Sequence, residues 1–362
     1  MKVEIKSCLD GAKKAKGISV IIDVFRASNT IIACIGQGAK FIIPIGDLEE
    51  AYGLKKANPD YLLFGERKGL PPEGFDYGNS PVAASKLSLK NKKIILTTSS
   101  GSQGIVNARK ADEIIIGSFA NAKAVVDYIK SKNPPIVSLV AMGFESGKKA
   151  EEDELCAKYL KEQLLGINSD FGEIKQEILK CDGADRLRRL NQEDDLEFSL
   201  KLNTYDIVPK YNFEYHTITD QKHPQRFELW SNDEFSVATP ANPHIPKEEG
   251  IHLRIFAKKE VVNGWEDPEL CGKAFTLAAK IADIIVEKLK IVQWANLQYN
   301  GNWGLLPGYT PVFHIHVYGR KKTGKTRAQP VQLPKAPGTY NNEPLTEKER
   351  AVLSNAFKKY LK

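Results

Sequence analysis

Between residues 17 and 166 the chain repeats one pattern: a short run of branched apolar residues, a polar or glycine-rich stop, then an amphipathic stretch. ISVIIDV, KFIIPIG, KKIILTT, DEIIIGS and PPIVSLVAMG read as buried strands, being short and rich in branched side chains. The stretches between them, SNTIIACIGQG, DLEEAYGLKKA, GSQGIVNARKA and NAKAVVDYIKS, have helical spacing. Asp47 with Glu50 three residues later makes a capping box at one helix start. Strand–helix alternation of this kind predicts an α/β unit, a mostly parallel sheet with helices on both faces. Such sheets hold ligands beyond the carboxyl ends of their strands, so the strand ends are the positions to inspect.

At 362 residues the chain is long enough for two domains. After a helical, charged segment at residues 170–205, the texture changes near Val208 to mixed aromatic and polar residues (YNFEYHTITDQ, RFELWSNDEFSVATPANPHIP). A strand (HLRIFAKKEV), an amphipathic helix over residues 268–290, two further strands around WANLQYN and PVFHIHVYG, and a final helix follow. These predict an α+β domain with an antiparallel sheet over residues 211–362, after a first domain of residues 1–210. A net charge of +7 suits anionic substrates but is too small for a nucleic-acid coat. The five scattered cysteines form no CxxC pair, which argues against a disulfide framework or a zinc knuckle. The charged start, MKVEIKSCLDGAKKAKG, lacks a signal peptide's apolar core, and no apolar run is long enough to cross a bilayer. A soluble cytoplasmic protein with no membrane and no nucleic-acid partner is therefore expected.

The strand ends are dense in polar groups. Asp23, Arg26 and Ser28 follow the first run; Glu66 and Arg67 follow Gly65; GFDYGNSP supplies Asp76, Asn79 and Ser80. TTSSGS supplies Thr98, Ser99, Ser100 and Gly101 at the mouth of a helix, and GSFANA supplies Ser118 and Asn121 at another. Hydroxyls and amides at a helix start can seat a phosphate, and Arg26 or Arg67 can grip it with two prongs. Asp23, Glu66 and Asp76 offer the oxygen ligands that Mg²⁺ prefers. Glu152 and Asp153 in EEDELCA bind metal, act as base or simply open a helix. A Ser/Thr/Gly cluster before a helix often does no more than cap it. Five such clusters at successive strand ends point instead to a metal-assisted site for a small phosphoester. Cys156, on the same helix as Asp153, reads as packing.

VIIDVFRASNT, GERKGLPPEGFDYGNSP, KKIILTTSSGSQG, IIGSFANA, EEDELCA and EDDLEFSLKLNTYDIVP resemble, in that order, the motifs of the 2-phosphosulfolactate phosphatases, over roughly residues 1–210. The resemblance implies Mg²⁺-dependent hydrolysis of 2-phosphosulfolactate to sulfolactate and phosphate. Ser99 and Ser100 stand where that pattern has Thr and Asn, and Asn29 where it has Ser or Thr. These polar-for-polar changes bear on the substrate more than on the reaction class. Phosphatases with an aspartyl nucleophile carry a second Asp two residues on; here that position is Phe25, which favours attack by water over an aspartyl-phosphate.

In FHIHVYGR, strand alternation sets His314, His316 and Tyr318 on one face and Phe313, Ile315 and Val317 on the other. The segment resembles the histidine-triad superfamily of nucleotide hydrolases and transferases, whose middle histidine attacks phosphorus. Two registers are open. Either His314 is the nucleophile, with Val312 replacing the first histidine, or His316 is, with Tyr318 in the third place; the reading leans to His314. Asn296, Gln298, Asn300 and Asn302 in NLQYNGNWG can orient the histidine or hold phosphate and ribose. The basic run RKKTGKTR either meets a polyphosphate or is a solvated loop. His244 and His252, each standing alone, read as structural. A zinc site joining them to the paired histidines is the lesser alternative. The leading expectation is a phosphatase fused to a histidine-triad-like nucleotide hydrolase or transferase. The alternatives are a phosphatase with a non-catalytic nucleotide-binding module, and a protein that binds a phosphometabolite without turnover. A homo-oligomer is implied by both resemblances.

Overall fold

The computed structural model describes residues 1–213, 216–220, 226–241, 243–259, 261–299, 313–327, 329 and 342–361. Contacts divide the chain into two units, Met1–His223 and Pro224–Lys362.

In the first unit the described strands are β1 (Lys2–Ser7), β2 (Ile18–Ile22), β3 (Phe41–Pro44), β4 (Leu62–Gly65), β5 (Lys93–Thr97), β6 (Glu113–Gly117), β7 (Ile136–Ala141), β8 (Pro209–Asn212) and β9 (Thr217–Asp220). They form one sheet in the order β1-β7-β2-β6-β8-β9-β3-β5-β4. The pairs β1·β7, β7·β2, β2·β6, β3·β5 and β5·β4 are parallel. Both faces are dry for the reason the continuous apolar runs suggest. Val20 and Ile22 pack on one side with Val125 and Ile129 of helix Ala122–Lys132 and Leu160 of helix Glu151–Leu165. Ile21 packs on the other with Ile31 of helix Ala27–Gly36 and Ile105 of helix Gly101–Asn107.

One segment sits elsewhere than expected. YNFEYHTITD, read as the opening of a second domain, supplies the antiparallel hairpin β8–β9, which lies between β6 and β3 in the interior of the first sheet. The division between units therefore falls at residues 223/224 rather than 210/211. The physical reason is that Tyr211 and Ile218 are buried in the core, paired within the sheet with Ile114 of β6 and Ile42 of β3. With only four residues per strand, the alternation was too brief to stand out.

In the second unit β10 (Arg226–Ser231), β11 (Phe235–Pro240), β12 (Gly250–Ala257), β13 (Trp294–Gln298) and β14 (His314–Arg320) form an antiparallel sheet in the order β10-β11-β12-β14-β13. Leu253, Ile255, Ile315 and Val317 share a core with Leu277 and Ile281 of helix Pro268–Asp283 and Phe357 of helix Glu347–Tyr360. Period-two alternation then turns His252, Arg254, His314, His316 and Tyr318 to the opposite face. Asp267 starts the longer helix by accepting the Leu270 N–H at 3.0 Å. No helix among the described residues is long and apolar enough to cross a membrane.

Candidate functional site

The carboxyl ends of β2, β4, β5 and β7 and the first turn of helix Glu151–Leu165 meet around a small cleft. Asp23, Glu66, Asn79, Ser99, Ser100, Glu152 and Asp153 line it. Each of the four carboxylates is buried, and backbone donors fix the geometry of three of them. Asp23 Oδ1 accepts the Ala27 N–H at 3.1 Å. Asp153 accepts the Val24 N–H at 2.7 Å and the Gly143 N–H at 2.8 Å. Glu66 accepts the Ser99 and Gly69 N–H groups, both at 2.8 Å. Glu152 meets the Cys181 thiol at 3.4 Å and Arg186 at 3.8 Å. A Cβ at Gly101 would lie 2.5 Å from Ala27 Cβ and 3.0 Å from Asp23 Oδ2, so only glycine lets this loop close over the site.

Burial pushes the Asp23 carboxyl up to about 7, with the charges of Glu66 and Glu152 adding to it. Burial also raises Asp153 well above the usual carboxylate range, reinforced by Asp23 and Glu152, and it raises Glu152. Burial thus makes Asp23, Glu152 and Asp153 costly to ionise side by side, a cost that a bound cation would offset. The four offer the oxygen ligands that Mg²⁺ prefers, although no three of them bring ligand atoms within 4.8 Å of one another in this structure, and Asn79 Oδ1, buried in the cleft wall without a hydrogen-bond partner, is a further unused acceptor.

Several strand-end residues expected at the site serve as framework instead. Asp76 accepts the Leu63 N–H at 2.7 Å and pairs with Lys55, closing the turn beside β4, and is not among the residues that line the cleft. Ser28 accepts the Asp23 N–H and donates to Ile21 O. Ser80 caps helix Pro81–Lys86 and donates to Asp195 at 2.6 Å. Thr98 and Ser102 cap each other. Ser118 is buried away from the cleft, its N–H held by Asn121. Arg67 donates to Glu66 O and Thr97 Oγ1, clipping β4 to β5 instead of facing a phosphate. Arg26 does line the cleft, but its guanidinium is paired with Asp195 at 2.7 Å and donates to Gly69 O at 2.9 Å. Lys68, Phe144 and Arg186 also line the cleft and were not expected there. Asp195 and Arg186 lie in EDDLEF and DRLRRL, within a segment that reads only as helical and charged.

The polar face of the second sheet gathers the histidines. His244, in the segment before β12, and His252 on β12 join His316, with ring nitrogens of all three within 4.8 Å of one another. Both had read as structural; the signal missed was alternation in HLRIF, which puts His252 and Arg254 on the face of their β14 partners Tyr318 and His316. For neutral rings, the hydrogen bonds assign the tautomers of His244, His252 and His316. Arg254 can only donate, so His244 Nε2 accepts at 2.8 Å and His244 Nδ1–H donates to the Tyr318 oxygen at 2.7 Å. The His244 backbone N–H donates to His252 Nδ1 at 3.1 Å, so His252 Nε2–H donates to His316 Nδ1 at 2.9 Å. His316 thus carries its proton on Nε2. Burial holds His244 down at about 3 and His252 and His316 well below the usual range. Three neutral imidazoles can hold a metal ion, but the Arg254 guanidinium already stands against them, which favours an anion.

His314, less buried, lies 4.7 Å from His316 between ring centres and stacks on Phe256. Asn296 and Gln298 pair across the sheet with Tyr318 and His316, on the same face. Asn300, Asn302 and Val312 lie outside the described residues. The basic run folds onto Glu249, which accepts the Lys325 and Thr326 N–H groups and the Thr326 hydroxyl.

The family model described as 2-phosphosulpholactate phosphatase matches residues 5–214. A probable 2-phosphosulfolactate phosphatase of Caldicellulosiruptor saccharolyticus is 36% identical over 214 residues, covering 53% of this chain and 88% of its own. One of Thermotoga petrophila is 38% identical over 204 residues, covering 53% and 87%. Among solved structures, a zinc-bound histidine triad family protein of Mycobacterium smegmatis is 16% identical, covers 38% of this chain and 86% of its own, and has a TM-score of 0.27. A histidine triad protein of Bradyrhizobium japonicum is 14% identical, covers 38% and 92%, and scores 0.30. Scores so low add no weight to the geometry of the second unit.

Proposed function

The chain belongs to the 2-phosphosulpholactate phosphatase family, and from that premise we propose that its first unit hydrolyses a small phosphorylated 2-hydroxy acid to the free acid and phosphate. The convergence of Asp23, Glu66, Glu152 and Asp153 on one cleft carries the reading. These four would hold Mg²⁺, which when bound supplies charge neutralisation and polarises the phosphoryl oxygens. The chain's own contribution is orientation. Val24 and Gly143 N–H groups hold Asp153, and Ser99 and Gly69 N–H groups hold Glu66, so these two need not reorganise as charge develops. Water attacks phosphorus, the ester P–O bond breaks, and the departing alkoxide takes up a proton. Phosphate release from 2-phosphosulfolactate by the purified chain, with Mg²⁺ and then with excess chelator, tests this. Release is expected only with Mg²⁺ and to fall at least about a hundredfold in Asp23→Asn. Chelator-resistant release retained by the variant would count against it.

For the second unit we infer a nucleotide hydrolase or transferase in which His314 is the nucleophile. The tautomer chain carries the choice between registers. His316 has its lone pair on Nδ1 engaged by His252 and a proton on Nε2, so it donates to a phosphate oxygen and does not attack. His314→Asn is expected to abolish hydrolysis of a nucleoside phosphoramidate or dinucleoside polyphosphate, whereas His316→Gln, which keeps a donor, retains part of it. Abolition in His316→Gln with part of the activity retained in His314→Asn would return the nucleophile's place to His316. Nucleotide binding without hydrolysis by the native chain would reduce the unit to a binding module.

A further inference from the structure

The cleft of the first unit has an acidic floor and a basic rim, and its metal-binding role accounts for only the floor. Of the three cations lining it, Arg26 is neutralised by Asp195. Lys68 and Arg186 are not matched in this way. Arg186 stacks 4.3 Å above the Phe144 ring and stays 3.8 Å from Glu152, a loose contact that weakens further if Glu152 turns to a metal. Its side chain is 26% exposed, so it sits at the mouth.

Lys68 is presented more deliberately. Arg67 and Leu70 exchange backbone hydrogen bonds at 2.9 and 3.2 Å, leaving Lys68 and Gly69 as the tip of a two-residue turn with φ of +55° and +83°. This turn carries the Lys68 side chain outward at the edge of the cleft. The turn is tied to the site itself: Gly69 N–H donates to Glu66, and Arg26 donates to Gly69 O. Lys68 makes none of the ion pairs found among the described residues, and its side chain is exposed.

Cations on the rim repel a metal and so do not serve it; they suit an anion that reaches past the reacting phosphate. We propose that Lys68 and Arg186 seat a second anionic group of the substrate, a carboxylate or sulfonate, and thereby select phosphorylated acids over phosphorylated neutral alcohols. This rests on the phosphatase reading and names the residues that set its specificity.

The test compares kcat/KM of the full chain on 2-phosphosulfolactate, 2-phospholactate and isopropyl phosphate, with Lys68→Gln and Arg186→Gln beside the native sequence. Each substitution is expected to lower the preference for acids over isopropyl phosphate by roughly tenfold to a hundredfold, mainly through KM. A loss shared by both acids assigns the carboxylate to the seat; a loss confined to 2-phosphosulfolactate assigns the sulfonate. A preference unchanged in both variants overturns the proposal. Lys68, being exposed, keeps the test open should Arg186→Gln misfold. If the native chain turns over none of the three esters, the phosphatase reading is what fails. Calorimetric titration with sulfolactate and Mg²⁺ then decides the seat: weaker binding by the variants supports it, and equal or absent binding overturns it.

Discussion

Asp195 shows how one side chain can organise a site without touching the chemistry. Its two oxygens hold Arg26, the Ser80 hydroxyl and the Val82 N–H, joining the loop after β2, the GNSP segment and its own helix. Both charges of the Arg26–Asp195 pair are about 95% buried, so removing one strands the other in a low-dielectric setting. Asp195→Ala should destabilise the first unit by about 3–5 kcal/mol, read from urea unfolding by circular dichroism. Asp195→Asn, which keeps the hydroxyl contact, should cost less. A loss under ~1 kcal/mol for Asp195→Ala would mean that water solvates Arg26 in place of the carboxylate. The same reasoning reassigns Arg26: its substitution should lower stability more than phosphate affinity, because its charge is already committed within the fold.

Among the elements, the β8–β9 hairpin is the one whose role differs most from its appearance. A segment of mixed aromatic and polar residues bridges two parallel half-sheets, pairing Ile218 with Ile42 and Tyr211 with Ile114. Lys210 reaches Glu113, which satisfies the charge that the strand carries into the sheet. Because Ile218 is fully buried, Ile218→Ala should cost about 2–5 kcal/mol in the same unfolding measurement. A surface hairpin appended to a finished domain would lose less than ~1 kcal/mol. β14 behaves as its alternation required: Ile315 and Val317 enter the core while His314 and His316 stay on the polar face.

At the scale of the molecule, sensitivity to acid is written into the histidine cluster of one unit, the second. There His244 has a folded pKa of about 3 against an ordinary 6.5, and His252 and His316 are shifted the same way. A depressed histidine is neutral in both states above pH 6.5 and contributes nothing there. As pH falls below 6.5 the unfolded chain takes up a proton that the folded unit refuses, so stability declines until about pH 3. His244 alone accounts for about 2 kcal/mol between pH 7 and pH 5. All four tryptophans (Trp230, Trp265, Trp294 and Trp303) follow residue 224, so their emission reports this unit alone. Urea midpoints followed by that emission should fall between pH 7 and pH 5, and fall less in His244→Gln. Midpoints independent of pH would show that the fold accepts protons on the cluster.

What the sequence by itself determined is what neighbours within about twenty residues decide: the parallel α/β pattern, the faces of each strand, and the family. Periodicity carries those because backbone sterics and one-sided burial act locally. Only the tertiary structure decided which strand-end residues meet in the cleft. Asp23 and Asp76 are the same residue type in similar sequence settings. One faces Glu66 and Glu152 across the site, while the other caps a turn and pairs with Lys55. The partner of Arg26 lies 169 residues away, and the proton on His316 is set through His252 on another strand. Burial and charge depend on what surrounds a group in space, and no local pattern records that.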